Sequence, residues 1–422
     1  MSTLKVNKLR DTAGSADAIT LDPNGGAVLA GVTTVTSVKV GAAVTISESG
    51  IEASGIGITC ANINGAQIGG RRNLIINGDM RIAQRATSST TSGYQTVDRW
   101  YGYANDIGSI TATWSQGTLT SSDTPYSSGF RHYHRVTLSS AGTANAGSQV
   151  STQTRIEAQD ISTSGWNYTS STSFLTASCW VRASTGQTFY LRVTSEDGTK
   201  QNIPFAFTVA DNTWTKVTWT LPGNSNVQFD NDNGEGLRFY LVPWHGTNYT
   251  SSDTANNTWA AYASGTRVPD MASTWLTAGA STFDYTGVQL EVGSQATPFE
   301  HRSFGEELGL CQRYYYKHVD GNTKTVTENG THYTGAYIFA SFTAPTAMRT
   351  APSVEVATGS AYYVTHSNGQ QTQTFSGTGV SSSYNTENYL SIQTDEGGGT
   401  QGHATIWRTN NASARIAYSA EL

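Results

Sequence analysis

The chain has 422 residues, of which 37% are hydrophobic and only 13% charged, with a formal net charge of −6. Low charge combined with 10 Trp, 21 Tyr and 13 Phe excludes the charge-rich, aromatic-poor disordered class and supplies cores for two or three domains. No basic cluster goes beyond Arg71-Arg72, and no apolar run approaches a membrane span, so neither nucleic-acid binding nor membrane insertion is expected.

Residues 1–70 open with MSTLKVNKLRD, which has no apolar h-region, so no standard export signal is expected. Val35, Val38, Val40, Val44, Ile46, Ile51, Ile56, Ile58, Ile63 and Ile68 then recur among Gly, Ser and Thr. Strands this short bury too little surface in one chain but enough when identical chains share a core, most simply about a threefold axis. A flexible linker is the competing reading, which suits the glycines but not the regular Ile and Val.

Residues 71–302 read as a larger β unit. SCWVRAS, TFYLRVTS, TKVTWTL and LRFYLVPW alternate as half-buried strands do, and Asp197-Gly198 marks a hairpin. Many short antiparallel strands without a long amphipathic helix indicate a β-sandwich or jelly roll. Residues 303–318 break the pattern. Ser303 and Glu306 form a capping box, and Leu308, Cys311 and Tyr315 share one helical face, so a short connector helix is predicted. Residues 319–422 return to β patterning in THYTGAYIFASFTAP, SVEVATGSAYYVTH, YLSIQTD and HATIWR, a C-terminal β-sandwich tip with polar loops. The whole is all-β: a fibrous N-terminal shaft, a jelly roll, a connecting helix and a tip.

Two stretches carry a resemblance. NLIINGDMRIAQR (Asn73–Arg85) with the Tyr94–Trp100 segment resembles the start of a domain common in bacteriophage tail fibres. Thr286–His318 resembles that domain's end and the segment after it, so the two bracket about half the chain. The opening STLKVNKLRDTAG is similar to N-termini of fibres from marine cyanobacterial phages, while the last hundred or so residues resemble no named family. The resemblance implies a jelly roll like a carbohydrate-binding module, in a homotrimer fixed to the virion by its N-terminus through a phage tail or adaptor protein. The partners it implies are two further copies of the chain and a host surface polysaccharide such as lipopolysaccharide. The connector helix would then close the jelly roll, its Leu308–Cys311–Tyr315 face packing either about the trimer axis or on its own sandwich.

Chemistry is sparse. No GxSxG, HExxH, P-loop or dinucleotide fingerprint occurs, and Cys60, Cys179 and Cys311 are too scattered for a disulfide framework or a metal site. Asp197, Asp230, Asp232, Glu235, Asp253 and Asp270 offer carboxylates, but in turn-forming contexts, so a non-catalytic binder is expected, with a glycan depolymerase or a purely structural spacer as alternatives. His132 and His134 alternate on one strand face without an evident third ligand and read as exposed strand histidines. Structural calcium is implied only by the resemblance, near Asp284. The carboxylate expected after the first-strand NG is replaced by Arg81, leaving Asp79 as substitute.

Sugars stack their CH faces on aromatic rings while polar side chains bond their hydroxyls. The polar segment PWHGTNYTSSDTANNTWAAY concentrates Trp244, His245, Tyr249, Trp259 and Tyr262, of which Trp244, Tyr249 and Trp259 are the ligand candidates. In the terminal domain the candidates are Tyr362, Tyr363, His366, Tyr384 and Tyr389, with the YNTENY segment the most loop-like. Trp407, within a strand, reads as core.

Overall fold

The structure is a computed structural model that describes residues 71–367 and 371–422 throughout, and six strands before them. Those six form two antiparallel three-stranded sheets. One joins β1 (Lys8–Leu9), β2 (Ile19–Leu21) and β3 (Ala27–Leu29), and the other joins β4 (Ser37–Val40), β5 (Val44–Ser47) and β6 (Gly50–Ala53). They belong to one compact unit, residues 1–61, and the remainder forms a second. Val35, Ile56, Ile58, Cys60, Ile63 and Ile68 lie outside the described residues.

In the second unit, two six-stranded antiparallel sheets face each other. The first orders β15 (Thr215–Pro222), β12 (Phe174–Ala183), β18 (Thr282–Val292), β10 (His132–Leu138), β9 (Ala112–Thr118) and β7 (Ser88–Ser89). The second orders β17 (Ala260–Ala261), β14 (Gln201–Val209), β13 (Gln187–Ser195), β16 (Glu235–His245), β11 (Gln149–Glu157) and β8 (Tyr101–Asn105). Most connections cross from one sheet to the other, as in a jelly roll. The period-2 rule fills the space between: Leu191, Val193, Phe239 and Leu241 from one sheet meet Leu175, Ala177, Phe283, Tyr285 and Leu290 from the other.

The NLIINGDM segment is a knot between the start and end of this sandwich. The Asn73 side chain accepts from the Ile75 and Leu290 backbone N–H groups and donates to the Val288 carbonyl at 3.1 Å. Asn77, in the left-handed region at φ 57°, donates to the Ile82 and Asp98 carbonyls, both at 2.9 Å. Glu300, from PFEHR, takes the Arg72 and Asn73 N–H groups. The two stretches that carry the tail-fibre resemblance thus form one hydrogen-bonded structure.

The connector helix α1 (Phe304–Gln312) starts where the capping box places it, with the Ser303 hydroxyl accepting from the Glu306 N–H at 3.2 Å. It is shorter than the 303–318 segment, because Tyr315 already begins β19 (Tyr315–Asp320). Cys311 and Tyr314 bury against Ile76 and Ile82. Of the two packings left open, the structure has the one within the chain: Cys311 and Tyr315 are buried and Leu308 is partly buried on its own sandwich.

The tip is a second, smaller sandwich. One sheet orders β19, β27 (Arg415–Ser419) and β22 (Ser353–Val356), and the other orders β24 (Gln371–Phe375), β23 (Tyr363–Ser367), β26 (Ala404–Thr409), β20 (Thr325–His332), β21 (Ile338–Thr343) and β25 (Tyr389–Thr394). Tyr363, Trp407, Ile392, Ile416 and Tyr418 fill its core. Among the described residues no helix is long and apolar enough to cross a membrane.

Candidate functional site

The outer face of the second jelly-roll sheet carries the side chains that its core-facing residues leave over. Register aligns Pro204, Arg192, Tyr240, Gln153 and Tyr101 as direct cross-strand neighbours in one row from β14 to β8. Beside it Ser151 pairs with Tyr103, and Gln149 pairs with His245. The segment 246–271 folds over this face, tied down by the Asn202 amide donating to the Arg267 carbonyl at 3.0 Å. The result is a cavity of about 320 Å³, lined on one side by Tyr101, Tyr103 and Tyr240 and on the other by Tyr262 and Arg267.

Charge in this groove is uneven. At one end Lys200 pairs with Glu196 at 2.6 Å, and Arg238 and Arg155 share Glu235. At the other end Arg192 lies 3.7 Å over the Tyr240 ring and donates to the Asn202 side chain at 3.2 Å. Arg267 stacks 4.3 Å from the Tyr249 ring and donates to Gln149 at 2.8 Å. Burial, and then the charges of Arg192 and Arg267, hold the His245 imidazole well below its ordinary value, so it is neutral at pH 7. Planar tyrosine rings beside amide, hydroxyl and guanidinium donors are what a saccharide needs: faces to stack on and partners for hydroxyls.

The sequence candidates fall in several places. Trp244 is buried in the sandwich core and is removed as a ligand contact. Simple alternation places it on the outer face with Tyr240, but a bulge sets two residues, Val242 and Pro243, against Ser151 and turns it inward. Trp259 packs partly buried on the same core and donates its indole N–H to the Pro222 carbonyl at 2.7 Å, a structural role. Tyr249 borders the groove by supporting Arg267.

In the tip, Tyr363 is fully buried, its hydroxyl donating its one proton between the Ala357 and Arg415 carbonyls at 2.8 and 2.9 Å, so it too is corrected to core. Tyr362 packs half-buried against that core. His366 lines a shallow hollow with Glu328 and His403. Tyr384 and Tyr389 are 70% and 62% exposed, and Tyr384 joins Tyr333, Tyr337 and Phe339 around a cavity of about 250 Å³. The structure therefore gathers Tyr384 into an aromatic cluster that sequence spacing had not assembled.

Asp284 is buried and carries two arginines, Arg135 at 2.7 Å and Arg182 at 2.8 Å, while Asp79 pairs with Arg81. Both Asp284 oxygens are engaged by guanidinium groups, a poor fit to a calcium ligand, while Asp79 places Oδ2 on Arg81 and leaves Oδ1 buried without a partner. Among the described residues no three His, Cys, Asp or Glu side chains converge as a metal site. His134, read from the sequence as exposed, is fully buried between Thr96 (3.0 Å) and the Tyr285 hydroxyl (2.6 Å).

Sandwich and groove define a β-sandwich with an aromatic and cationic groove on one outer face. No family model matches the chain, and no curated protein matches it. Among solved structures it is similar to a CBM4 carbohydrate-binding module, at 12% identity and TM-score 0.26, covering 51% of this chain and 97% of that one. The tandem CBM22-1–CBM22-2 domain of Paenibacillus barcinonensis Xyn10C gives 10% identity and TM-score 0.25, over 86% of this chain and 100% of that one. The enzymatically active domain of tailspike protein 4 of bacteriophage CBA120 gives 8% identity and TM-score 0.27, over 52% of this chain but 21% of that one. Likeness this weak carries nothing about activity, and function is read from the residues.

Proposed function

We propose that the chain is a glycan-binding subunit of a phage tail fibre that recognises a host surface polysaccharide without cleaving it. The observation that carries the binding part is the groove in which Tyr101, Tyr103, Tyr240 and Tyr262 line a face rich in hydrogen-bond donors. The tail-fibre part, with its trimer and virion attachment, rests on the resemblance of Asn73–Arg85 and Thr286–His318. Trimerisation would bring three grooves together, and linked weak sites gain avidity through effective concentration. A second reading places recognition at the tip, where Tyr333, Tyr337 and Tyr384 stand in solvent.

The test is binding of the full chain to an array of bacterial surface glycans, with Tyr103→Ala and Tyr262→Ala beside the parent. Both rings are half-buried and lie off the core, so the fold is expected to survive. A loss of about tenfold or more, the weight of about 1.4 kcal/mol, supports the groove. Unchanged binding by both variants overturns it.

A further inference from the structure

We propose that the glycan bound in this groove is acidic, and that Arg192 and Arg267 receive its anionic group: a carboxylate, sulfate or phosphate ester on a sugar. The inference rests on the glycan-binding reading and names its ligand class.

The argument starts from how this protein treats its buried guanidinium groups. Among the described residues four arginines are at least nine-tenths buried: Arg85, Arg99, Arg192 and Arg302. Arg85 and Arg99 both reach Glu421, and Arg302 reaches Glu300 and Glu307. Arg192 has no carboxylate partner among the described residues; its Nε–H lacks an acceptor, as those of Arg99 and Arg302 also do, so the missing counter-charge is what sets it apart. A buried cation without a counter-charge is costly unless something supplies one. Here the guanidinium lines a cavity open to a ligand.

Arg267 repeats the pattern across the groove. It has neutral partners, Gln149 and Ser264, and its Nε–H is likewise unpartnered. The two cations raise each other's cost, since burial first, and then the charge of Arg267, lowers the Arg192 guanidinium below its ordinary value. The groove as a whole presents Arg155, Arg192, Lys200, Arg238 and Arg267; among the described residues Glu196 and Glu235 pair with Arg155, Lys200 and Arg238, Arg155 also donates to the Leu422 oxygen, and Arg192 and Arg267 meet no carboxylate. This surplus sits in a chain whose net charge is −6, so it is local and not a reflection of composition. Guanidinium forks match carboxylate, sulfate and phosphate geometry, and stacking on Tyr240 and Tyr249 holds both forks in place before the ligand arrives.

The experiment is the full chain on an array of matched saccharides, each present as the neutral, carboxylated, sulfated and phosphorylated form. Arg267→Gln and Arg192→Met are run beside the parent, with thermal melts to confirm folding. Arg267 is half-buried on a surface segment, so its variant keeps the test sound if Arg192→Met fails to fold. The expected result is that one or more acidic forms bind at least about tenfold more tightly than the neutral form, and that Arg267→Gln erases this preference while weak neutral binding remains. Which acidic form dominates identifies the anion. Neutral forms binding as well as acidic ones, or an unchanged preference in folded Arg267→Gln, overturns the inference and leaves the glycan reading standing. Absence of binding to every form overturns both.

Discussion

Arg313 holds Glu157 in a two-point ion pair, with Nε to Oε1 and Nη2 to Oε2 both at 2.7 Å. The carboxylate belongs to the jelly roll and the guanidinium to the end of the connector helix, so the pair fastens one sandwich to the other. Burial pushes the Glu157 carboxyl up, but the hydrogen bonds of Arg313 and Tyr314 more than reverse this and hold it below the usual carboxylate range. Close by, Arg99 stacks 3.5 Å over Tyr314 and Arg85 lies 3.6 Å over Tyr315, both also pairing with Glu421. The consecutive tyrosines after the helix are the clamp between the two sandwiches.

Arg313→Met should therefore destabilise the protein by about 3–5 kcal/mol, because it leaves a buried carboxylate without its cation. Urea melts followed by tryptophan fluorescence read the loss, and a change under about 1 kcal/mol would contradict the clamp. Deletion of residues 319–422 should be more damaging still. It strips Glu421 from Arg85 and Arg99 and bares Tyr315, so the shortened chain is expected to aggregate or to melt well below the parent.

Gly78, in the NGD turn, has a backbone explanation. A Cβ there would stand 2.0 Å from the Val288 carbonyl oxygen, which the knot between the first and last segments holds in place. Val288 in turn donates its N–H to the Gly78 carbonyl at 2.9 Å. Gly78→Ala is expected to cost more than about 2 kcal/mol, since neither backbone can move without breaking these bonds. Thermal melts of this variant beside Gly305→Ala, where a Cβ meets nothing, provide the comparison.

The strands were legible because their alternation follows the pleat: Phe189, Leu191 and Val193 face the core, and Arg192 between them faces out. The groove was not legible. Tyr101, Gln153, Arg192 and Tyr240 come from separate strands, and periodicity gives the face each occupies but not which strand lies beside which. Trp244 misled because composition groups it with the polar segment after it, whereas it lies at the end of β16 and a bulge turns it into the core; Tyr363 misled because its strand turns it into the tip core. The capping box located the helix start, whereas the i+7 position of Tyr315 fell beyond its end. In the tip, the exposure of Tyr384 and Tyr389 agrees with the loop-like composition of YNTENY.

His134 makes stability depend on pH. Burial holds its imidazole at about 3, far below the unfolded value of about 6.5. Between those values the unfolded chain binds the proton and the native one does not, so this group's contribution is complete above pH 6.5 and is lost as pH falls toward 3. Asp98 works in the opposite sense: burial raises it from 3.8 to about 6, so in that window the native state binds the extra proton and gains on acidification. The two partly cancel between pH 4 and 6, and His134→Gln separates them. The difference in stability between parent and variant should shrink as pH falls, on the order of 1 kcal/mol per pH unit. A constant difference from pH 7 to pH 4 would show that His134 is not buried in its neutral form.

The groove and the tip cluster make distinguishable predictions for glycan and cell binding. Tyr103 and Tyr262 belong to the first, Tyr333 and Tyr384 to the second, and none contributes to a hydrophobic core. Point variants are better suited than truncation, because the interface through Glu157, Arg313 and Glu421 joins the two sandwiches. If the groove reads the host, the Tyr103→Ala, Tyr262→Ala double variant should lose host-cell binding by about tenfold or more while Tyr333→Ala, Tyr384→Ala keeps it. Binding in the groove should also weaken as salt is raised from low to physiological strength, because Arg192 and Arg267 act on a charged ligand that ions screen. The tip cavity is lined by Tyr333, Tyr337, Ile338, Phe339, Tyr384 and Gln393, with no charged side chain, and contact there should be nearly indifferent to salt. Cell binding that survives loss of the groove tyrosines, disappears with the tip tyrosines and does not respond to salt would move recognition to the tip.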